Sequence, residues 1–437
     1  MTRKSNKNGR RAVVVDGVRT PFVKAFKEFT KVDTIALGVT AVRALLKRNE
    51  VPRREIDQLI WGSVIIPSGA PNVGREVVLD LRLPPEIHAH TVSQACISSL
   101  HAITGAASAI ERGDADVVIA GGSDSTSNAE IKLPQKVVHA LAPLAFGKAT
   151  PQDVLGVLAQ LWPLHELLPK RPEVAERTTG KTMGESCEDM ARRNEISREA
   201  QDAFAARSHQ RAAAAMESGR FDAEVTPVKP PDGPEVTADR LVRADTSEER
   251  LARLRPVFAK DGTITAGNAS PLTDGAAAVL MMSEEAALAL GYKPEDLVHV
   301  KQWAYAGVDP TDQLLIGPAL AVPQVLERVG LGLQDMDLVD FHEAFAAQVL
   351  CVQKAMASKA FCRERLGLDQ PVGEVDPERL NVHGGSVSIG HPFAATGARM
   401  VTTMMNELRL RDAQHALLAA CAAGGLANAL VLERLGG

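Results

Sequence analysis

Four residues of this sequence, two cysteines and two histidines, have types and positions suited to nucleophilic and acid–base catalysis. Cys96 lies where an apolar lead-in over 89–92, predicted to be a strand, meets a helical pattern over 97–110. Backbone N–H groups at a helix start have no intrahelical partner, and the helix dipole stabilises a thiolate there. Cys96 is therefore a candidate nucleophile. The alternative is a small buried side chain at a strand–helix junction.

The other three candidates follow a strand or a glycine-rich loop. His342 comes after a short apolar strand pattern, and ligands tend to bind at the carboxyl ends of parallel strands. A structural histidine is the alternative there. His391 follows the glycine-rich stretch 381–390 and precedes a helix, so its ring can reach into a pocket. Cys421 ends a strand, and the small residues 422–425 after it can aim backbone amides at one oxygen, as in an oxyanion hole.

Strand patterns that alternate with helical patterns must position these side chains. Strands are predicted over 12–18, 58–65 and 115–122, with helices between them. This alternation predicts a layered α/β domain with a mostly parallel, buried sheet. The C-terminal part repeats the order, and the strand with its glycine turn at 115–122 resembles 415–425. We therefore expect two similar halves.

The predicted organisation is an N-terminal half over 1–127, an inserted lobe over 128–275 and a C-terminal half over 276–437. Within the lobe, a helical hairpin is predicted over about 131–176. It contains the apolar run Val154–Leu164 and is surrounded by lysines. The hairpin either packs on its own domain or forms a surface that docks a partner or rests on a membrane.

Composition argues against several classes of protein. The net charge of −5 gives no general reason to expect binding to nucleic acid. Five cysteines without a CxxC pair argue against a disulfide framework and a structural zinc site. No apolar run approaches the roughly 20 residues of a membrane span. No apolar signal core follows the basic residues 1–11, and the first predicted strand begins at about residue 12, which argues against a transit peptide. We therefore expect a bacterial cytoplasmic protein in preference to a mitochondrial one.

The four candidate residues, in this order and with their neighbours, resemble the thiolase family over nearly the whole chain. Further stretches that carry the resemblance are Arg19–Phe22, Gly121–Ser125, Met183–Glu185, Ser208–Ala212 and Gly267–Ser270. The resemblance implies a five-layer αβαβα fold of two duplicated halves with an inserted loop lobe. Three motif variants resemble the long-chain 3-ketoacyl-CoA thiolases, the β subunits of fatty-acid oxidation complexes: His342–Phe345, Gly390–Arg399 and Cys421–Gly425.

The resemblance also implies a reaction, the thiolytic cleavage of a 3-ketoacyl-CoA by CoA to acetyl-CoA and an acyl-CoA two carbons shorter. By this resemblance Cys96 forms the acyl-enzyme and His391 accepts its proton. Cys421 protonates the leaving enolate and then deprotonates CoA. Two oxyanion sites are implied. One uses His391 with His342 or a water that His342 holds, and the other uses the N–H groups of Cys96 and Ala423.

Contacts to CoA are implied for Ser270 at the pantetheine, for its neighbour Ala269, and for Arg243 near the adenine; Arg250 replaces a nearby family serine. No metal or redox cofactor is implied, because CoA and acyl-CoA are substrates. The expected partners are acyl-CoA and CoA, a second copy in a homodimer, and a hydratase/dehydrogenase α subunit. A membrane contact through 131–176 is a further expectation, and nucleic acid is not expected.

Four alternatives to this function are considered. A biosynthetic thiolase of the acetoacetyl-CoA type stays open, because the sequence does not set the net direction. Condensing enzymes of the ketoacyl-synthase class lack a second catalytic cysteine, so Cys421 and the Gly390–Pro392 motif argue against them. The intact Cys96, His342, His391 and Cys421 argue against a catalytically silent acyl-CoA-binding protein. The spacing of ligands along the sequence argues against a metal site.

Overall fold

The computed structural model describes residues 9–131, 133–146 and 175–436. These residues belong to two compact units, one formed by the chain up to Asn128 and from Glu176 onward, and the other by Ala129–Ala175. The hairpin predicted over about 131–176 lies mostly outside the described residues. Its described part contains a single helix, Gln135–Phe146. Among the described residues, no helix is both long enough and apolar enough to cross a membrane.

The larger unit contains ten strands in a mixed sheet. They are β1 (Ala12–Arg19), β2 (Val23–Lys24), β3 (Gln58–Gly62), β4 (His88–Val92), β5 (Val117–Ser125), β6 (Thr273–Ser283), β7 (Val298–Gly307), β8 (Leu338–Phe341), β9 (His415–Ala422) and β10 (Leu426–Arg434).

The described residues also form helices, of which one, Gln135–Phe146, belongs to the smaller unit. They are α1 (Thr34–Arg48), α2 (Val73–Asp80), α3 (Ser98–Arg112), α4 (Gln135–Phe146), α5 (Met183–Arg193), α6 (Arg198–Glu217), α7 (Glu248–Leu251), α8 (Glu284–Ala289), α9 (Pro318–Val329), α10 (Ala346–Ala357), α11 (Lys359–Phe361), α12 (Ser386–Ile389) and α13 (Thr396–Leu410).

The strand order repeats between the two halves of the chain. The first half has the order β4-β3-β5-β6-β1 and the second has the order β8-β9-β10-β7, with β1 and β7 paired where the halves join. In the second half, Leu380 forms a parallel bridge to Val339 of β8, on the side where β4 flanks β3 in the first half. This repeated order confirms the predicted duplication.

The prediction of a mostly parallel sheet is wrong. Parallel pairing joins β3 to β4, β3 to β5 and β8 to β9, whereas β1, β6, β7 and β10 pair antiparallel with their neighbours. The physical reason is clearest at β10. It follows β9 after only three residues, and so short a connection allows only an antiparallel return.

The structure corrects two details near β5 and β6. The boundary predicted after residue 275 falls within β6, which pairs with β5 and β1 and so belongs to the first half. The glycine turn predicted at the end of 115–122 is absent, because β5 continues to Ser125. A Cβ at Gly121 would lie 2.3 Å from the Ala277 carbonyl oxygen, so this glycine serves close packing and not a turn.

Three hydrophobic clusters reveal the order of the layers. The central cluster packs α3 and α13 between the inner faces of the two sheet halves. One outer cluster holds α1 and α2 against the first half, and the other holds α9 and α10 against the second. Neighbouring residues of one strand, such as Leu417 and Leu418, enter different clusters because strand side chains alternate between faces. The result is the predicted five-layer αβαβα fold.

A buried ion-pair network connects the segment that contains Glu224 and Asp239 to Arg19, at the end of β1. The fully buried Arg19 donates to both carboxylate oxygens of Asp239, at 2.7 and 2.8 Å, and lies 3.6 Å from Glu224. Its guanidinium also lies over the rings of Phe22 and Phe221, at 5.2 and 5.1 Å from their centroids.

We predict that Arg19→Met destabilises the protein by about 3–5 kcal/mol, because two carboxylates lose their buried partner. Urea unfolding at a fixed protein concentration measures this change. Arg112→Met is the matched control, since Arg112 pairs with Asp114 at an exposed site and should contribute less than about 1 kcal/mol. Equal destabilisation by both variants would contradict the prediction.

Candidate active site

Cys96 lies in a tight turn between β4 and α3. The preceding Ala95 has a φ of 48°, in the left-handed region that residues with a side chain rarely adopt. The Ser98 hydroxyl closes the turn, accepting from the Gln94 N–H at 2.8 Å and donating to the Ala95 carbonyl at 2.7 Å. The turn places Cys96, a half-buried residue, just ahead of the helix, with its thiol in a desolvated position. This is the placement that the sequence predicts.

Two histidines from the second half of the chain meet Cys96. The Cys96 sulfur and one ring nitrogen each of His342 and His391 all lie within 4.8 Å of one another. The two imidazole centroids are 4.2 Å apart. Both histidines are buried, with exposed fractions of 0% and 5%. The fold therefore brings together three of the four predicted catalytic side chains.

A hydroxyl group orients each imidazole. His342 follows β8, and its Nδ1 lies 3.0 Å from the Ser386 hydroxyl. His391 Nδ1 lies 2.7 Å from the Thr396 hydroxyl, at the start of α13. Both Nε2 atoms are buried and have no hydrogen-bond partner among the described residues. When Nδ1–H donates to the hydroxyl, Nε2 carries the lone pair and is ready to accept a proton.

Cys421 and Ala423 approach the same sulfur from the end of β9. Cys421 is buried and lies close enough to Cys96 for a Cys96 thiolate to raise its pKa, in addition to the larger effect of burial. The backbone N–H of Ala423 lies near enough to the Cys96 sulfur to lower the pKa of its thiol. Ala423 does not have a positive φ, so an alanine at this position causes no left-handed backbone strain.

Burial controls the protonation of the resting site. It raises the pKa of the Cys96 thiol to about 12, although the Ala423 N–H lowers it. Burial and the charge of Arg399 lower the pKa of His391 to about 3. Burial, His391 and Arg399 also hold the pKa of His342 well below its ordinary value. At neutral pH the site therefore contains a thiol and two neutral imidazoles, and burial outweighs the helix dipole that was expected to favour a thiolate.

Sequence reasoning missed the residue that anchors the His391 loop, Asp124. One carboxylate oxygen of Asp124 accepts from the N–H groups of Val64 and Ile65, at 2.9 and 2.7 Å. The other accepts from the Ala394 N–H at 2.8 Å. Asp124 thus ties the loop after β3 to the loop that carries His391, and burial raises its pKa to about 7. Its place in the Gly121–Ser125 motif was the available signal.

Glu343 anchors the loop that carries Ser386. Its carboxylate accepts from the Ser208 hydroxyl and the Asn381 amide, each at 2.7 Å, and from the Val387 N–H at 3.1 Å. Ser208 and Glu343 both lie in motifs that support the resemblance. Their hydrogen bond could not be predicted from the sequence, because the two residues are far apart along the chain. Glu343 therefore positions His342 indirectly, through Ser386.

The three residues expected at CoA divide between two places. The N–H of Ser270 donates to the Ala344 carbonyl at 3.0 Å, and Ala269 forms a bridge to Phe345. Both therefore lie beside the segment that follows His342. The N–H of Arg243 instead donates to Nδ1 of His209 on α6, at 3.2 Å. The structure thus places Arg243 on a different element from the other two.

A cleft of about 620 Å³ opens between α6 and α7. Phe204, Arg207 and Ser247 contribute to its lining, which contains none of Cys96, His342 or His391. We therefore locate the candidate active site at Cys96, His342 and His391 and not at this cleft.

Known proteins resemble the chain over nearly its full length. Residues 12–285 match the thiolase N-terminal domain family, and residues 295–434 match the thiolase C-terminal domain family. A 3-ketoacyl-CoA thiolase of Yersinia enterocolitica is 44% identical over 429 residues, which cover 98% of each chain. A protein of the same name from Shewanella woodyi is 42% identical over 431 residues, again 98% of each chain.

Solved structures agree with this assignment. The Bacillus anthracis acetyl-CoA acetyltransferase matches 98% of this chain and 99% of its own, with a TM-score of 0.81 and 33% identity. Human mitochondrial 3-ketoacyl-CoA thiolase in complex with CoA matches 98% of both chains, with a TM-score of 0.80 and 31% identity. The chain described here belongs to the thiolase family.

Proposed function

We propose that this protein is a 3-ketoacyl-CoA thiolase, an acetyl-CoA C-acyltransferase of fatty-acid β-oxidation. The observation that carries the proposal is the meeting of the Cys96 sulfur with His342, His391 and the Ala423 N–H, with Cys421 nearby. The 44% identity to proteins named 3-ketoacyl-CoA thiolase supports the substrate class. A biosynthetic acetoacetyl-CoA-type thiolase and a silent acyl-CoA-binding protein are the alternatives.

In the first half-reaction, His391 Nε2 takes the Cys96 proton as the sulfur attacks the 3-keto carbon. The C2–C3 bond then breaks, and its electron pair forms the enolate of acetyl-CoA. The Cys421 thiol protonates C2, which releases acetyl-CoA and leaves a thiolate on Cys421. The acyl chain remains on Cys96 as a thioester, and the proton from Cys96 remains on His391.

In the second half-reaction, the Cys421 thiolate takes the proton of the CoA thiol. The CoA sulfur attacks the Cys96 thioester, and the tetrahedral intermediate collapses to the shortened acyl-CoA. The departing Cys96 sulfur recovers its proton from His391, so every group returns to its starting state. We assign different tasks to the two cysteines because Cys96 forms a cluster with both imidazoles.

Oxyanions arise in both half-reactions and need separate donors. The N–H groups of Ala423 and Cys96 both act to lower the pKa of the resting Cys96 thiol, so they are suited to donate to the oxyanion that forms at the acyl carbon bound to Cys96. The protonated Nε2 of His391, with His342 beside it, is suited to the enolate oxygen of the acetyl thioester. One such donor is typically worth on the order of 3 kcal/mol.

The proposal predicts an acyl-enzyme on Cys96. Mixing the protein with a 3-ketoacyl-CoA in the absence of free CoA should leave the shortened acyl group on the Cys96 peptide, as measured by mass spectrometry. Addition of CoA should release the acyl group from Cys96 as acyl-CoA. Thiolysis of 3-ketoacyl-CoA substrates of several chain lengths then measures the chain-length preference. An adduct on Cys421 would reverse the two roles, and an unmodified protein would favour the silent alternative.

A second prediction concerns Thr396, a positioning residue for His391. Thr396→Ala removes the hydroxyl that holds Nδ1, so kcat should fall by about 10²-fold with little change in KM, and Thr396→Ser should restore it. Thr402→Ala is the control, because this buried hydroxyl on the same helix donates to the Ala398 carbonyl instead. Equal kcat losses in the Thr396→Ala and Thr402→Ala variants would indicate a purely structural effect.

We further propose that the protein acts as a homodimer in the bacterial cytoplasm, and that residues 131–176 dock a hydratase/dehydrogenase α subunit or a membrane surface. The apolar run Val154–Leu164 supports a docking segment. So do the exposed side chains of Ile131, Leu133 and Val138, with exposed fractions of 67%, 50% and 42%.

Replacing residues 131–175 with a short linker tests this docking segment and keeps Glu176, which accepts from the Gly424 N–H at 2.9 Å. We expect the variant to lose complex formation with an α subunit and binding to liposomes while it retains thiolysis of short substrates, because Ala129–Ala175 form a separate compact unit. Co-elution and liposome flotation measure the association. Unchanged association in both assays would contradict the assignment.

A further inference from the structure

We propose that the Cys96–His342–His391 cluster is a binding site for a thiophilic divalent cation, Zn²⁺ in the first instance, and that the bound cation reversibly inhibits the enzyme. The sulfur and the two ring nitrogens lie within 4.8 Å of one another. Thiolate and imidazole are preferred zinc ligands, and two histidines with one cysteine form a three-ligand set of the kind that leaves a fourth position open.

The geometry of the cluster is near that of a tetrahedral site. Zinc–sulfur and zinc–nitrogen bonds of about 2.3 and 2.0–2.1 Å place the ligand atoms roughly 3.4–3.6 Å apart. The observed upper limit of 4.8 Å therefore requires a contraction of at most about 1.2–1.4 Å at each pair. Rotation of the Cys96 side chain, with small shifts of the imidazoles that keep their contacts to the Ser386 and Thr396 hydroxyls, is the adjustment that the site requires.

Both imidazoles are already held in the orientation that a metal needs. The hydroxyls of Ser386 and Thr396 engage Nδ1, at 3.0 and 2.7 Å. The buried Nε2 atoms lack partners among the described residues. Metal-bound histidines characteristically use their second ring nitrogen in this way, to donate to an oxygen acceptor. A cation would satisfy two buried nitrogens that otherwise have no partner in the described structure.

The positions of these three ligands along the sequence do not predict a metal site. The ligands come from three separate loops of the two halves, after β4, after β8 and before α13. The spacing rule that argues against a metal site covers ligands from one local segment, so it does not apply here. The fourth zinc position is open to a water or to the thiol of CoA. A bound cation uses the lone pairs of Cys96 and His391 that the proposed reaction needs, so occupancy and turnover exclude each other.

The test measures metal binding directly on the full chain. Competition with a chromogenic zinc chelator should reveal one Zn²⁺ per chain. Loss of a supporting group typically weakens metal binding 10–100-fold, so Cys96→Ser and His342→Asn, which each remove a ligand, should weaken it by about 100-fold or more. His88→Asn, at an exposed histidine, and Cys362→Ser, at a buried cysteine directly after α11, should bind as the unaltered protein does.

Co²⁺ provides a readout that does not depend on turnover. The Co²⁺-loaded protein should show tetrahedral d–d bands and a thiolate-to-cobalt charge-transfer band, and the charge-transfer band should be absent from the Cys96→Ser variant. Circular dichroism confirms that each variant is folded. Zn²⁺ should also protect Cys96 from alkylation by iodoacetamide. Equal zinc affinity in all variants, or no binding in competition with the chelator, would overturn the proposal.

The inhibitory consequence rests on the proposed function and is measured separately. Thiolysis should fall as Zn²⁺ is added and recover fully with EDTA. A protein that binds Zn²⁺ at this site but shows no thiolysis would contradict the proposed function and leave the metal site supported. A protein that performs thiolysis but is unaffected by bound Zn²⁺ would overturn the inhibitory part of the inference.

Discussion

The close packing of α3 on α13, between the two sheet halves, is the contact on which the rest of this structure depends. A Cβ at Gly397 would lie 2.5 Å from Cγ of Leu100, and the Ala398 N–H donates to the Ser99 hydroxyl at 2.9 Å. Cys96 and His391 each precede one of these helices by a few residues. Because the helices meet near their first turns, the nucleophile of one half meets the base of the other.

The same burial that holds the layers together defines the chemistry. Removing Cys96 and the two imidazoles from water keeps all three neutral at rest, since charged forms are costly in a low-dielectric interior. The thiolate–imidazolium pair therefore belongs to the reaction and not to the resting enzyme. Because the resting side chains are neutral, ion pairs cannot hold the two imidazoles in position. Hydrogen bonds with the hydroxyls of Ser386 and Thr396 hold them instead.

Buried carboxylates extend this support away from the reacting atoms. Asp124 joins the loop after β3 to the His391 loop, and Glu343 holds the loop that carries Ser386. Each accepts several hydrogen bonds, which offsets the cost of burying a carboxyl group. These anchors fix loops from different halves relative to each other. They also explain why a set of ligands suited to a cation can exist in loops that are far apart along the chain.

The sequence by itself determined the local elements and the identities of the reactive residues, because hydrophobic period and residue type are local properties. The strand predicted over 12–18 is observed as Ala12–Arg19, and the helical pattern over 97–110 is observed as the helix Ser98–Arg112. Only the tertiary structure decided the mixed pairing of the strands, the place of β6 in the first half, the pKa of Cys96 and the anchoring by Asp124. Each of these depends on burial or on contacts between distant segments. Hydrophobic periodicity reports only local structure, so it does not predict such contacts.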